Sequence, residues 1–204
     1  MTSTLDVNSA PPSAHHLSED LLTPRFYTTE TKKAARTNLS QQKQAFDAVM
    51  AEMEADYNRC HFDRKVPLQR VKSLSPEQKT AYESYLVRSC VSEFSGFLLF
   101  KELSRQLSKA QRPDLSRLFN LMARDEARHA GFLNRALVAE GIELDLPSLS
   151  GKRPITWFPL NWVLYSVYLS EKIGYWRYIL IDRHLKSNQE NAFAPLFDFL
   201  EPWC

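Results

Sequence analysis

The chain has 204 residues, 44% hydrophobic and 12% aromatic, enough for one domain with a real core. Its 26 basic and 24 acidic residues leave a formal charge of +2, with no basic run of the kind that tracks phosphates, so composition gives no footprint for nucleic acid. Three cysteines, Cys60, Cys90 and Cys204, are odd in number and lack CxxC spacing, which argues for a reducing compartment and against a disulfide framework or zinc ribbon.

Residues 1–22 are polar, contain acidic groups and show neither an apolar core nor an arginine-rich amphipathic pattern. They are expected to form a disordered tail rather than a targeting peptide, leaving residues 23–204 as one helical domain. Five glycines and no Asn-Gly or Asp-Gly pair predict an almost all-helical protein. The first long helix is expected over 39–58, capped by Ser40. The second, 75–107, opens on Ser75, Pro76 and Gln78, a capping-box signature. The third starts near Pro113 and stops near Gly141. After a polar, proline-bearing connection, a fourth runs from about Pro159 to Leu185, and a last one begins near Ala192. The apolar stretch "WFPLNWVLYSVYL", 157–169, is too short to span a bilayer. A buried helix is the preferred reading, and a helix resting at a membrane surface is the other.

Side chains three and four apart share a helix face. Leu86, Cys90, Phe97 and Phe100 form one apolar stripe, and Glu93 falls within it. Leu115, Leu118, Met122, Leu133 and Leu137 form another, which contains Glu126 and His129. Leu164, Val167, Gly174 and Tyr178 form a third, which contains Glu171. Taken singly, Glu93 has Arg88 or Lys101 as a partner for an ordinary ion pair, and Glu171 has Lys172 or Arg177. Taken together, three helices each sending a carboxylate to the core need a shared compensation, since a buried unpaired carboxylate costs several kcal/mol. A four-helix bundle meets that need by holding two metal ions with a Glu from each of two helices and Glu-x-x-His from each of the other two. The ligand mix suits iron or manganese. Asp125 is placed to orient a ligating histidine on a facing helix, and Arg128 to tie that carboxylate down. His15, His16, His61 and His184 are not assigned to the site. Tyr168, Tyr175 and Tyr178 lie near Glu171 and are expected to pack against neighbouring helices.

The stretches "LLTPRFYTTE", "DYNRCHF", "RSCVSEFSGFLLFKELSRQL", "LMARDEARHAGFLN" and "YLSEKIGYWRYI" run from residue 21 onward. In these blocks the chain resembles the aerobic magnesium-protoporphyrin IX monomethyl ester oxidative cyclases, ferritin-like di-iron enzymes of chlorophyll synthesis. The combination is far more specific than Glu-x-x-His alone. By position, the resemblance makes Glu93, Glu126, His129 and Glu171 iron ligands. It places a second Glu-x-x-His shortly after "FLEPWC", beyond Cys204, so the chain reads as the N-terminal portion of a ferritin-like bundle whose fourth bundle helix is cut short.

The resemblance implies O2-dependent closure of the isocyclic ring of magnesium-protoporphyrin IX monomethyl ester, giving divinyl protochlorophyllide. The sequence has no flavin or nicotinamide fingerprint, so electrons would arrive from outside the chain, and the resemblance implies reduced ferredoxin and ultimately NADPH as their source. A small accessory subunit is implied, as is a peripheral position on the thylakoid or plasma membrane of a cyanobacterium, or on plastid membranes in a eukaryote. The isolated chain is expected to be an inactive fragment of that enzyme. The competing readings are a non-catalytic helical scaffold and another ferritin-like iron-binding protein, including a dimer that completes its ligand set across a two-fold axis.

Overall fold

The computed structural model describes residues 24–57, 59, 74–151 and 155–188. The expected tail, Cys60, His61, Cys204 and the helix expected from Ala192 lie outside the described residues. In chain order the elements are strand β1 (Phe26–Thr28), helix α1 (Thr31–Ala35), a single 3-10 turn (Ser40–Gln42), helices α2 (Lys43–Ala55), α3 (Pro76–Lys109), α4 (Pro113–Ala139) and α5 (Leu146–Ser150), strand β2 (Ile155–Trp157) and helix α6 (Leu160–Asn188). The fold is all-α, with two three-residue strands as the exception among the described residues.

The long helices α3 and α4 form an antiparallel hairpin. Its start is fixed by the capping box read from sequence: the Gln78 amide donates to Ser75 Oγ at 3.2 Å and the Ser75 amide to Gln78 Oε1 at 2.9 Å, an arrangement worth about 1 kcal/mol. Its turn places Gln111 at φ 58°, and the Arg112 amide closes back on the Leu107 carbonyl at 3.0 Å. The hairpin ends where Gly141, at φ 84°, takes the left-handed conformation that glycine adopts without steric cost. Ser40 does not cap α2: it sits in the 3-10 turn, where its amide donates to Asn38 Oδ1 at 2.9 Å, and α2 starts three residues later without a side-chain cap.

Two apolar clusters divide the length of the hairpin. One gathers Leu86, Val87, Cys90, Ala130, Leu133, Leu137 and Tyr178. The other gathers Leu99, Phe100, Leu103, Leu107, Phe119, Ala123, Leu160 and Val163. Residues 93–96 of α3 and 126–129 of α4 lie between them, so a polar group there has dry, packed walls above and below.

The strands pair in parallel, Phe26 with Ile155, Tyr27 with Thr156 and Thr28 with Trp157. The ribbon is extended by Thr29 Oγ1 donating to the Phe158 carbonyl at 2.9 Å. Beside it, Glu30 Oε2 accepts the Leu160 amide at 3.1 Å, a negative side chain at the positive end of α6. Three-residue strands carry too little pattern to be read from sequence.

The stretch 157–169 is not a buried helix. From Leu160 onward it is helical, but α6 meets the rest of the protein along one stripe, of which Leu160, Val163, Tyr178 and Asp182 are buried. At 100° per residue the other faces stay outside, and Trp162, Tyr165 and Tyr168 are 66%, 61% and 56% exposed. Leu164, assigned from sequence to the inward stripe, is also exposed; Val163 takes that place. Of the three tyrosines expected to pack, only Tyr178 is buried. No helix among the described residues is long and apolar enough to cross a membrane.

Candidate metal centre

Glu93 reaches the gap between the apolar clusters from α3, and Glu126 and His129 reach it from α4. One ligand atom from each of the three lies within 4.8 Å of the others. His129 Nδ1 stands 3.3 Å from Glu93 Oε2 and 3.9 Å from Glu126 Oε2. The i, i+3 spacing of Glu126 and His129 puts both on one side of α4, and the hairpin turn brings Glu93 opposite them. None of the ion pairs considered from sequence, Glu93 with Arg88 or Lys101 and Glu171 with Lys172 or Arg177, forms among the described residues.

The Glu126 carboxylate is buried, and among the described residues its Oε2 has no hydrogen-bond partner. At 3.9 Å the imidazole is beyond hydrogen-bonding reach of that oxygen, so their attraction is one of charge. Space for this carboxylate depends on Gly96, one turn beyond Glu93. A Cβ added there would stand 2.9 Å from Glu126 Oε1 and 3.0 Å from its Cδ. Sequence reasoning missed Gly96, although a glycine inside a helix of otherwise good formers is itself a signal of close approach.

The charge states follow from this crowding. Burial, reinforced by the negative charge of Glu93, pushes Glu126 up to about 8, against the pull of His129. Burial alone would favour neutral His129, but the two carboxylates outweigh it and raise the imidazole to about 9. Burial would also raise Glu93, yet the imidazole beside it holds it below the usual carboxylate range. Without metal, the crowding favours a protonated His129 and holds a proton on the Glu93–Glu126 pair. Cys90, one turn before Glu93, is buried, and burial pushes its thiol up to about 12.

Glu171 stands at the rim. Desolvation and then the charge of Glu93 raise it, while His129 lowers it, yet the residue is exposed and outside the three-residue group. Asp125 and Arg128 turn away from the cluster. Arg128 Nη2 donates to Asp56 Oδ2 at 2.8 Å, Arg128 Nη1 to Asp125 Oδ1 at 3.2 Å, and Arg124 Nε to Asp125 Oδ1 at 2.8 Å. This network ties the end of α2, where Asp56 takes φ 53°, to α4 one turn from the ligands. Asp125 is thus engaged by arginines, and no histidine from a facing helix meets it among the described residues. His184 is exposed on α6, away from the cluster.

The three residues fit a divalent transition ion: two carboxylates and an imidazole, one oxygen lacking any other partner, and a glycine leaving the room that the carboxylate needs. Replacing Gly96 by alanine tests that fit. The atoms in the way are the mobile end of Glu126, so the fold is expected to survive, helped by about 0.5–1 kcal/mol of helix propensity. Iron affinity is expected to fall on the order of 10-fold as the carboxylate is displaced. Unchanged affinity in an iron titration of Gly96→Ala would show that the cradle is not needed.

Comparison with known proteins gives an independent line. The chain is 64% identical over all of its 204 residues to a magnesium-protoporphyrin IX monomethyl ester [oxidative] cyclase of Prochlorococcus marinus strain MIT 9211, covering 58% of that protein. It is 66% identical over 197 residues to the protein of the same name from strain MIT 9313, covering 97% of the chain and 56% of that protein. Cyclase 2 of Thermosynechococcus vestitus is 57% identical over 193 residues, covering 94% of the chain and 54% of that protein. The chain thus spans somewhat more than half the length of these curated relatives. No solved structure matches it. The Rubrerythrin family matches residues 84–204, more than half of the chain and the part that holds Glu93, Glu126, His129 and Glu171. With the helical architecture and the matched span in agreement, the chain belongs to the Rubrerythrin family, whose ferritin-like domain is a helical bundle.

Proposed function

We propose that this chain supplies the N-terminal part of an O2-dependent di-iron cyclase of chlorophyll biosynthesis, which converts magnesium-protoporphyrin IX monomethyl ester to divinyl protochlorophyllide. The observation that carries this reading is the Glu93–Glu126–His129 cluster, with its partnerless carboxylate oxygen, in a chain so similar to proteins of that name. Residues 23–204 form one ferritin-like domain in this reading. Glu171 completes the ligand set offered here, and a second Glu-x-x-His outside the described residues supplies the rest. Iron, when bound, supplies redox chemistry with O2. The chain's own residues do the remaining work. Glu93, Glu126 and His129 would hold the ion in their deprotonated forms, Gly96 leaves the carboxylate its room, and the flanking apolar clusters keep water away. Asp125 and Arg128 hold α4 against α2 and so fix the height of the ligands. Electrons come from NADPH by way of reduced ferredoxin, a small accessory subunit assists, and the protein works at the surface of a cyanobacterial membrane.

Anaerobic titration of the 204-residue chain with Fe(II) tests this reading. About one ion per chain is expected, with no ring closure by the chain alone, because two-iron bundles of this kind use six ligands and four are offered here. Two irons per chain with measurable ring closure would overturn the incomplete-site reading. No iron at all would overturn the metal reading and favour a non-catalytic scaffold.

A further inference from the structure

A second concavity lies beside the candidate metal centre, between α3 and α6. It is an open cleft of ≈ 580 Å³, and its lining includes Ser84, Tyr85, Arg88, Ser89 and Ser92 from α3 and Arg177 from α6. Two features mark it as a site for an anion. First, among the described residues neither Arg88 nor Arg177 forms an ion pair with a carboxylate. Arg177 is nevertheless held in place: its guanidinium carbon lies 5.6 Å from the Tyr85 ring centre and 5.0 Å from that of Tyr178, and Nη2 donates to the Tyr178 hydroxyl at 3.3 Å. That contact uses one of five N–H donors. A guanidinium stacked on rings keeps its donors pre-organised for a carboxylate. Second, the Tyr85 hydroxyl is buried beside Ser89 and Tyr178, and among the described residues it makes no hydrogen bond of good geometry. A buried hydroxyl so poorly paired is better satisfied by a ligand oxygen in the cleft.

The cleft is also placed to serve the cluster. Ser89, one turn before Glu93 on the same face of α3, and Ser92, next to Glu93, both line the cleft. A monomethyl ester of protoporphyrin has one carboxyl esterified and one free, on neighbouring side chains of the same ring edge. We propose that the cleft is a carboxylate-binding subsite, in which Arg88, Arg177 and the Tyr85 hydroxyl hold the free propionate of a porphyrin monoester while its esterified side chain lies toward Glu93, Glu126 and His129. The proposal rests on the cyclase reading for the identity of the ligand, and on the cleft itself for its chemistry.

The test is a binding titration of the metal-free 204-residue chain with magnesium-protoporphyrin IX monomethyl ester and with the dimethyl ester, followed by porphyrin absorbance. The monoester is expected to bind on the order of 10-fold more tightly than the diester, since a charge-assisted pair is lost in the latter. Arg88 is exposed and forms no ion pair among the described residues, so Arg88→Ala is expected to leave the fold intact and to remove the preference for the monoester. Arg177→Lys keeps a charge but loses the planar fork, and is expected to weaken the preference in part. Equal affinity for the two esters, a preference that survives Arg88→Glu, or binding of neither ester overturns the proposal. The two readings fail separately. Iron loading without an ester preference sinks only the subsite, whereas an Arg88-dependent preference without iron loading sinks the cyclase reading and leaves the subsite.

Discussion

Replacing Glu126 by methionine is expected to make the metal-free protein more stable and unable to load iron. Glu126 is buried, with one oxygen lacking any partner, in a gap between two apolar clusters. An unbranched methionine follows the same path past Gly96 and adds no polar atom that needs satisfying. Removing the stranded carboxyl group is expected to stabilise the fold by about 1–3 kcal/mol, read as an upward shift of the urea midpoint. Iron affinity is expected to fall on the order of 100-fold or more, because one of three converging ligands is gone. The combination is diagnostic: a residue kept for packing should lose stability when exchanged, and a residue kept for a ligand should release it. A methionine variant that is less stable than the parent, or that still loads iron, would sink the assignment of Glu126.

The metal-free protein is also expected to lose stability as pH rises, against the usual behaviour of ion-paired carboxylates. Glu126 is raised from an ordinary 4.5 to about 8, and His129 from 6.5 to about 9. Each binds its proton more tightly in the folded state than in the unfolded one. The stability this gives is complete below the unfolded value and is lost as pH rises, through 4.5 to 8 for Glu126 and through 6.5 to 9 for His129. Glu93 is lowered, so its contribution has the opposite sense and fades only as pH falls below the ordinary carboxylate range. Stability should therefore peak near pH ~5 and decline by on the order of a few kcal/mol by pH ~9. Saturating Fe(II) under anaerobic conditions should reverse the slope, because the ion requires the deprotonated ligands. Urea titrations across that range, with and without iron, measure it. A metal-free stability that is flat or rises with pH would be incompatible with the charge states assigned to the cluster.

Much of this centre was legible in the sequence, and the reason lies in what its carboxylates lack. Burial on an apolar stripe is not selective: Glu83, Glu140 and Asp182 are as buried as Glu126, yet none joins the cluster. Glu83 has Lys79 at 3.6 Å and Asp182 has Lys186 at 3.0 Å, each four residues away on its own helix. Glu93, Glu126 and Glu171 have no basic side chain three or four residues away except His129 itself. For Glu83 and Asp182 a local cation accounts for the burial; Glu140, at the C-terminal end of α4, has none three or four residues away, so the pattern narrows the candidates without singling out the cluster. Gly96 was legible too, as a glycine one turn after a candidate ligand. The arginine cleft was not, since it depends on how α6 lies against α3, and no spacing within one helix encodes that. Nor was the exposure of Trp162 and Tyr165, because an apolar residue in a sequence does not say whether a second layer covers it.

The parallel ribbon between residues 26–28 and 155–157 governs the order in which the centre can assemble. The α3–α4 turn is pinned by Ser104 and Ser116, 12 residues apart, and brings Glu93, Glu126 and His129 together by local closure. The clasp of Thr29 on Phe158 closes 129 residues. By chain entropy that costs about 2 kcal/mol more than the short turn, and helical hairpins form faster than long-range strand pairs. Glu171, carried by the helix that leaves the ribbon, is therefore expected to reach the rim after Glu93, Glu126 and His129 have met. In kinetic terms the three-residue nest precedes its fourth wall, which gives an incoming ion an open side during folding.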